Sequence, residues 1–151
     1  MRNRRLLMLL VVIVLLGAAA GGAFMLRQRT LDQRALDARE VGMQAAELGD
    51  HKRALHQVGT YLQRFGQNDD ADALYTYAVA QSEIPKPNNK HIIQAIAMLR
   101  QALNVDKSHE KAREKLLELY MLIGYGEETL ALAQDILADD PENIDALRAE
   151  A

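Results

Sequence analysis

Residues 110–143 read EKAREKLLELYMLIGYGEETLALAQDILADDPEN, and this stretch decides the fold. Its apolar residues recur at intervals of three and four, as they do along one face of an amphipathic helix. Gly124 and Gly126 interrupt this pattern, and Pro141 ends it. The stretch therefore predicts two short helices joined by a tight turn.

The same arrangement recurs along the chain. Ala95 and Thr129 are 34 residues apart, whereas Ala54 precedes Ala95 by 41 residues. Most of the additional length lies in residues 84–90 (IPKPNNK), whose two prolines forbid a continuous helix. A period near 34 residues is typical of stacked helical hairpins.

Three stretches resemble the tetratricopeptide (TPR) repeat, in which small residues lie where the two helices of a hairpin cross. Gly42 and Ala54 take these positions in the first unit, and Ala78 and Ala95 take them in the second. In the third unit Leu117 replaces one small residue, and the chain contains no tryptophan. These departures leave a looser helical-hairpin array, or an ordinary helical bundle, as alternatives.

The resemblance implies an all-α fold, an α-solenoid of about three and a half helix–turn–helix repeats within residues 30–151. We expect units over about residues 35–68, 71–109 and 110–143, and a partial unit over 144–151. This last stretch reads as the start of a further first helix. It therefore indicates either a longer chain or a partner that covers this end.

The N-terminal residues have a different character. Residues 6–26 (LLMLLVVIVLLGAAAGGAFML) carry no charge, and a helix of that length spans about 30 Å, the thickness of a bilayer's hydrocarbon core. We predict that residues 1–29 form a signal anchor, a single transmembrane helix. Arginines before the span place the N-terminus in the cytoplasm and the repeat domain in the periplasm or another extracytoplasmic space. The alternative is a secreted protein, cleaved near Ala20.

Gly17 and Gly21 lie four residues apart within this apolar run. Small residues at that spacing let two transmembrane helices approach closely, which would make the protein a homo-oligomer. The alternative is that they only accompany the end of a signal sequence.

Composition argues against several functions. Residues 30–151 hold 13 basic and 21 acidic residues, a formal net charge of −8; such a domain repels phosphate backbones, so we predict no nucleic-acid partner. The chain has no cysteine, and its four histidines lack metal-ligand spacing and are interpreted as solvated surface residues. Acidic clusters at residues 69–72 and 139–142 are interpreted as helix caps. No catalytic or phosphate-binding motif occurs, so we predict no enzymatic activity, no cofactor and no metal.

The resemblance also implies a ligand site, because the first helices of stacked TPR units line a concave groove. The residues expected to line it are Arg39, Met43, Asp72, Tyr75, Val79, Lys111, Glu114, Glu118 and Met121. Chaperone-binding members of the family clamp a peptide's terminal carboxylate, and Arg39, Lys111 and Lys115 resemble the basic part of that clamp. Met43 and Val79 stand where its asparagines would be, so that specificity does not carry over.

Together these features predict a membrane-tethered scaffold that binds a protein or peptide partner in its groove. The alternative is a non-catalytic N-terminal repeat segment of a longer enzyme, or of a subunit of a secretion or assembly machinery.

Overall fold

The computed structural model describes the backbone of residues 2–66 and 69–150 and the side chains of residues 21–66 and 69–150. Within these residues the chain is helical and contains no β-strand. The helices are α1 (Arg2–Glu47), α2 (His51–Phe65), α3 (Ala71–Ser82), α4 (Lys90–Val105), α5 (Glu110–Ile123), α6 (Gly126–Asp139) and α7 (Ile144–Glu150). The prediction of an all-α chain is confirmed.

The chain divides into two compact units, Met1–Asp37 and Ala38–Ala151. The first consists of the N-terminal part of α1. Most of the predicted membrane span, including Gly17, lies among residues whose side chains are outside the described part of the chain. Among the residues whose side chains the structure describes, no helix is both long enough and apolar enough to cross a membrane. Gly21 has open space where a β-carbon would stand.

The second compact unit, Ala38–Ala151, is a series of helical hairpins. Helices α3 and α4 form one packed pair and α5 and α6 the next, while α2 packs on α3, α4 on α5, and α6 on α7. Each helix therefore packs mainly against its neighbours in sequence, which is the organisation of a helical-repeat array. The predicted helix–turn–helix repeat is confirmed.

Small residues occur where these helices cross. A β-carbon at Gly42 would lie 2.6 Å from Val58 Cγ2 and 2.9 Å from the Val58 amide nitrogen, so α1 and α2 touch backbone to backbone at this point. Ala78 and Ala95 are both fully buried between α3 and α4. The crossing positions predicted from the spacing of small residues therefore lie inside the packed interior.

A continuous apolar core runs through α2, α3, α4 and α5. Leu74 and Leu99 are fully buried in it, and Tyr120 from α5 packs against the same cluster. Removing such side chains from water supplies about 25 cal/mol per Å² of apolar surface. A smaller cluster of Leu117 and Ala146 with residues of α6 joins α7 to α5 and α6.

The interruption of the helix that the sequence predicts within the second repeat, residues 71–109, is also present. Helix α3 ends at Ser82, and the chain passes through a 3-10 turn at Pro87–Asn89 before α4 begins. Asn88 and Asn89 have φ angles of 56° and 54°, a left-handed conformation that asparagine tolerates better than most residues. The backbone amide of Lys86 donates to His91 Nδ1 at 3.1 Å, which ties this turn to the start of α4.

Candidate peptide-binding groove

A groove of about 720 Å³ lies across α3, α5 and α7. These are the first helices of the second and third units and the helix that follows them. The groove is lined by Tyr75, Lys111, Glu114, Lys115, Glu118, Met121, Leu122, Asp145 and Arg148. A volume of this size holds several side chains of a ligand.

The structure brings together part of the predicted lining. Tyr75 and the four predicted residues of α5 border the groove, as does Lys115, which the sequence analysis named only for its resemblance to a basic clamp. Leu122, Asp145 and Arg148 also border it, and the prediction did not include them. Four predicted residues are not part of the lining: Arg39, Met43, Asp72 and Val79. The sequence contained part of the information needed to predict these additional residues, because Leu122 follows Met121 directly and Asp145 and Arg148 share one face of α7.

The groove has an apolar wall. Met121 and Leu122 are 45% and 65% exposed, and Tyr75 is half-buried against the core. Burial raises the pKa of the Tyr75 hydroxyl; Lys115 opposes this shift, and Glu114 and Glu118 add to it. Tyr75 therefore presents a neutral ring and a hydrogen-bonding hydroxyl to the groove.

Most charges in the groove are already paired. Lys115 Nζ lies 2.9 Å from Glu118 Oε1 and 3.7 Å from Glu83 Oε1. Arg148 Nη1 lies 3.5 Å from Asp145 Oδ1.

Arg39 is held outside this groove by an ion pair. Its Nε donates to Asp70 Oδ2 at 2.5 Å and its Nη2 to Asp70 Oδ1 at 3.2 Å. Asp70 also caps α3 by accepting from the Ala73 amide at 2.9 Å. Burial would raise the pKa of Asp70, but the hydrogen bonds from Arg39 and Ala73 outweigh it and lower that pKa. Arg39 thus joins the end of α1 to the start of α3.

The other predicted residues of the first two units are also engaged in packing. Thr76 Oγ1 donates to the Met43 thioether at 3.0 Å, and Val79 is half-buried. Asp72 Oδ1 lies 3.2 Å from His109 Nε2. These contacts join successive first helices.

The interpretation of all four histidines as solvated was wrong for His109, whose side chain is only 9% exposed. Its Nδ1 accepts from the Ala112 amide at 3.1 Å and caps α5, while its ring contacts the Tyr75 ring at a centroid distance of 5.2 Å and a tilt of 37°. Histidine is not among the commonest capping residues, which explains why its position before a helix gave no signal. His109 therefore positions Tyr75 at the edge of the groove.

In the second acidic cluster, Asp139 does not cap a helix. Asp139 accepts from Arg113 Nη1 at 2.6 Å, and Asn143 Oδ1 rather than an acidic residue accepts from the Ala146 amide at the start of α7. The hydrogen bond to Asp139 raises the pKa of the Arg113 guanidinium. The interpretation of this cluster as caps was wrong for Asp139, since a long-range partner takes the carboxylate.

Within residues 21–66 and 69–150, no group of three or more histidine, cysteine, aspartate or glutamate side chains could hold a metal ion. What the groove offers to a ligand is an apolar wall bordered by charged groups.

Solved structures similar to this chain include two TPR domains. The TPR domain of Arabidopsis OM64 has a TM-score of 0.64 at 21% sequence identity, covering 80% of this chain and 93% of that one. The first TPR domain of Spaghetti (RPAP3), bound to the HSP90 peptide SRMEEVD, has a TM-score of 0.59 at 18% identity, covering 79% and 91%. No family model and no curated protein matches the sequence. The helical hairpins of this chain have a TPR-like fold.

Proposed function

We propose that this protein is an interaction scaffold that binds a peptide or partner helix reversibly in the groove between α3, α5 and α7. The observation that carries the proposal is the groove itself, about 720 Å³ in volume and lined by first helices. Met121 and Leu122 expose large apolar surfaces there, and such patches mark binding sites more often than isolated apolar residues do. The similarity to a TPR domain solved with a bound peptide supports this use of the fold.

Peptide selection followed by titration tests the proposal. Peptides from a displayed library are selected against the 151-residue chain in mild detergent and then titrated against two variants. Leu122→Asp introduces a charge into the groove wall, whereas Ile93→Asp introduces one at a 51% exposed site on α4, outside the groove lining. We expect Leu122→Asp to weaken binding by about tenfold or more and Ile93→Asp to leave it unchanged. Equal effects of the two variants would contradict the proposal.

We further propose that residues 1–29 anchor the scaffold in a membrane, with the repeats on the extracytoplasmic side. The uncharged run of residues 6–26, between two groups of arginines, supports this. Helix α1 begins at Arg2, so the whole of this run has helical backbone.

Extraction of membranes with alkaline carbonate tests the anchor. We expect the wild type and Thr30→Arg to stay in the membrane pellet and Ile13→Arg to be released, because an arginine in mid-span costs about 3 kcal/mol. A mature protein that begins near Gly21 and washes off membranes would instead indicate secretion after cleavage.

A further inference from the structure

The lining of the groove carries balanced charge. Three basic residues and three acidic residues border it, so its formal charge is zero although residues 30–151 carry −8. The basic residues are Lys111, Lys115 and Arg148, and the acidic residues are Glu114, Glu118 and Asp145. Such a groove has no net attraction for an acidic peptide.

Two charges in the groove are free to meet a ligand. Lys115 pairs with Glu118, and Arg148 pairs with Asp145. Lys111 and Glu114 are exposed and make no ion pair or hydrogen bond with any residue that the structure describes. They lie three residues apart on one face of α5, beside the apolar wall of Met121 and Leu122. The site therefore presents one positive and one negative group along an apolar strip.

The lining offers few partners for an extended backbone. It contains no asparagine, glutamine, serine or threonine, and four of its six charged side chains already pair within the structure. Tyr75, Lys111 and Glu114 are left to meet a peptide backbone. An extended peptide would bring unpaired N–H and C=O groups into this groove, where each needs a partner. A helix satisfies its own backbone hydrogen bonds and presents only side chains. The chemistry of the lining thus favours a helical ligand over an extended one.

A terminal carboxylate also finds little to bind. Arg39 is held by Asp70, and Lys115 is held by Glu118 and Glu83. Met43, which stands where the clamp would have an asparagine, accepts a hydrogen bond from Thr76 and lies outside the groove lining. Lys111 alone remains as a free cation of the groove among the described residues, and Glu114 is its neighbour on the same helical face.

We infer that the ligand of this groove is an amphipathic helix with a narrow apolar stripe bordered by one acidic and one basic side chain. Its apolar side chains pack on Tyr75, Met121 and Leu122, its acidic side chain pairs with Lys111, and its basic side chain pairs with Glu114. This inference rests on the proposed function and specifies the class of partner.

Two helical peptides of opposite charge order test it. Both are about 15 residues long, have blocked ends and carry leucines at i, i+3, i+4 and i+7. They differ only in whether the acidic side chain precedes or follows the basic one along the stripe. Each is titrated by fluorescence anisotropy against the full chain in mild detergent and against the double variant Lys111→Glu/Glu114→Lys, which keeps the net charge. The peptide SRMEEVD, with a free or an amidated C-terminus, is the third probe.

We expect the wild type to prefer one charge order by about threefold and the double variant to prefer the other. SRMEEVD should bind more weakly than either helix, with the same affinity in its free and amidated forms. The inference is overturned if both proteins bind the two helices equally, or if a correctly folded chain binds none of the probes. It is also overturned if SRMEEVD binds most tightly and needs its free carboxylate; in that case the proposed function stands with a different ligand.

Discussion

Arg39 in the first unit and Glu114 in the third occupy the same place in the repeat pattern, yet they have different surroundings. Arg39 is bound by Asp70 through two hydrogen bonds and does not line the groove. Glu114 lines the groove and forms no ion pair with any residue that the structure describes. The repeat register therefore predicts which face of a helix a residue occupies, but contacts between units decide whether that residue is available to a ligand. The contacts of Gly42 with Val58 and of Arg39 with Asp70 hold α1, α2 and α3 together, and we call them the joint. The groove on α5, in contrast, is open to a ligand.

The largest effect should come from breaking the joint at Gly42. An alanine there places its β-carbon 2.6 Å from Val58 Cγ2 and 2.9 Å from the Val58 amide. We expect Gly42→Ala to lower the free energy of unfolding by about 2–3 kcal/mol, although alanine favours helix by about 1 kcal/mol. Urea unfolding followed by circular dichroism measures the change. Gly126→Ala is the control, because its β-carbon meets no atom within 4 Å; equal stability of the two variants would refute a close contact.

Removing the ion pair of the joint should have the next largest effect. We expect Asp70→Ala to cost about 2 kcal/mol and Arg39→Ala less, because both remove the hydrogen bonds between the two side chains but only Asp70→Ala also removes the cap on the Ala73 amide. The double variant should cost little more than Asp70→Ala alone. Arg148→Ala is the control, since its pair with Asp145 is more than 70% exposed and is worth about 0.5 kcal/mol. The affinity of groove peptides should not change in Arg39→Ala. A loss of affinity there would make Arg39 part of the binding site.

The same pair should make stability depend on pH. Because the pKa of Asp70 is lowered in the folded protein, its contribution is complete above the ordinary value of 3.8 and is lost as the pH falls through the lower native pKa. We therefore expect the stability difference between wild type and Asp70→Asn to shrink as the pH falls from about 5 to about 2. Urea unfolding across this range measures it. A constant difference would mean that the carboxylate charge contributes nothing.

A smaller effect is expected at the boundary between joint and groove. His109→Ala removes the cap of α5 and the contact with Tyr75, and it should cost about 1 kcal/mol. It should also weaken peptide binding, because Tyr75 loses the ring that positions it. His56→Ala changes an exposed histidine of α2 and should change stability by less than about 0.5 kcal/mol. Identical effects of the two variants on stability and binding would contradict a structural role for His109.

The smallest effect on stability is expected in the groove. Lys111→Ala should change the free energy of unfolding by less than about 0.5 kcal/mol, since the side chain is exposed and unpaired among the described residues. Its effect should be seen in binding instead, as an affinity for the preferred helical peptide that falls by about threefold. Destabilisation without any loss of affinity would reverse this assignment.

The fold could be predicted from the sequence because it depends on local sterics. Small residues at Gly42, Ala78 and Ala95 recur where helices cross, and the prolines of residues 84–90 forbid a helix. These constraints act within one hairpin, so their spacing is visible in the sequence.

The candidate site could be predicted only in part. The pairing of Arg39 with Asp70, 31 residues away, depends on how α1 and α3 stack, and periodicity does not report which charges meet. The same limit applies to His109 and to Arg113, whose partners lie on other helices. The contribution of α7 was missed because the predicted lining was drawn from the three complete units alone, although residues 144–151 were interpreted as the start of a further first helix, the kind of helix that lines the groove.

Because the groove itself has no net charge, the association rate and the dissociation rate of a partner depend on different interactions. Residues 30–151 carry a net charge of −8, so a partner protein whose overall charge is positive is drawn in from a distance, whatever the charge of the helix that enters the groove, and its association slows as salt screens the field. Once the partner is seated, its dissociation is governed by apolar contact with Tyr75, Met121 and Leu122, and screening changes that little. Added salt should therefore reduce the association rate constant while the residence time of the complex stays nearly the same.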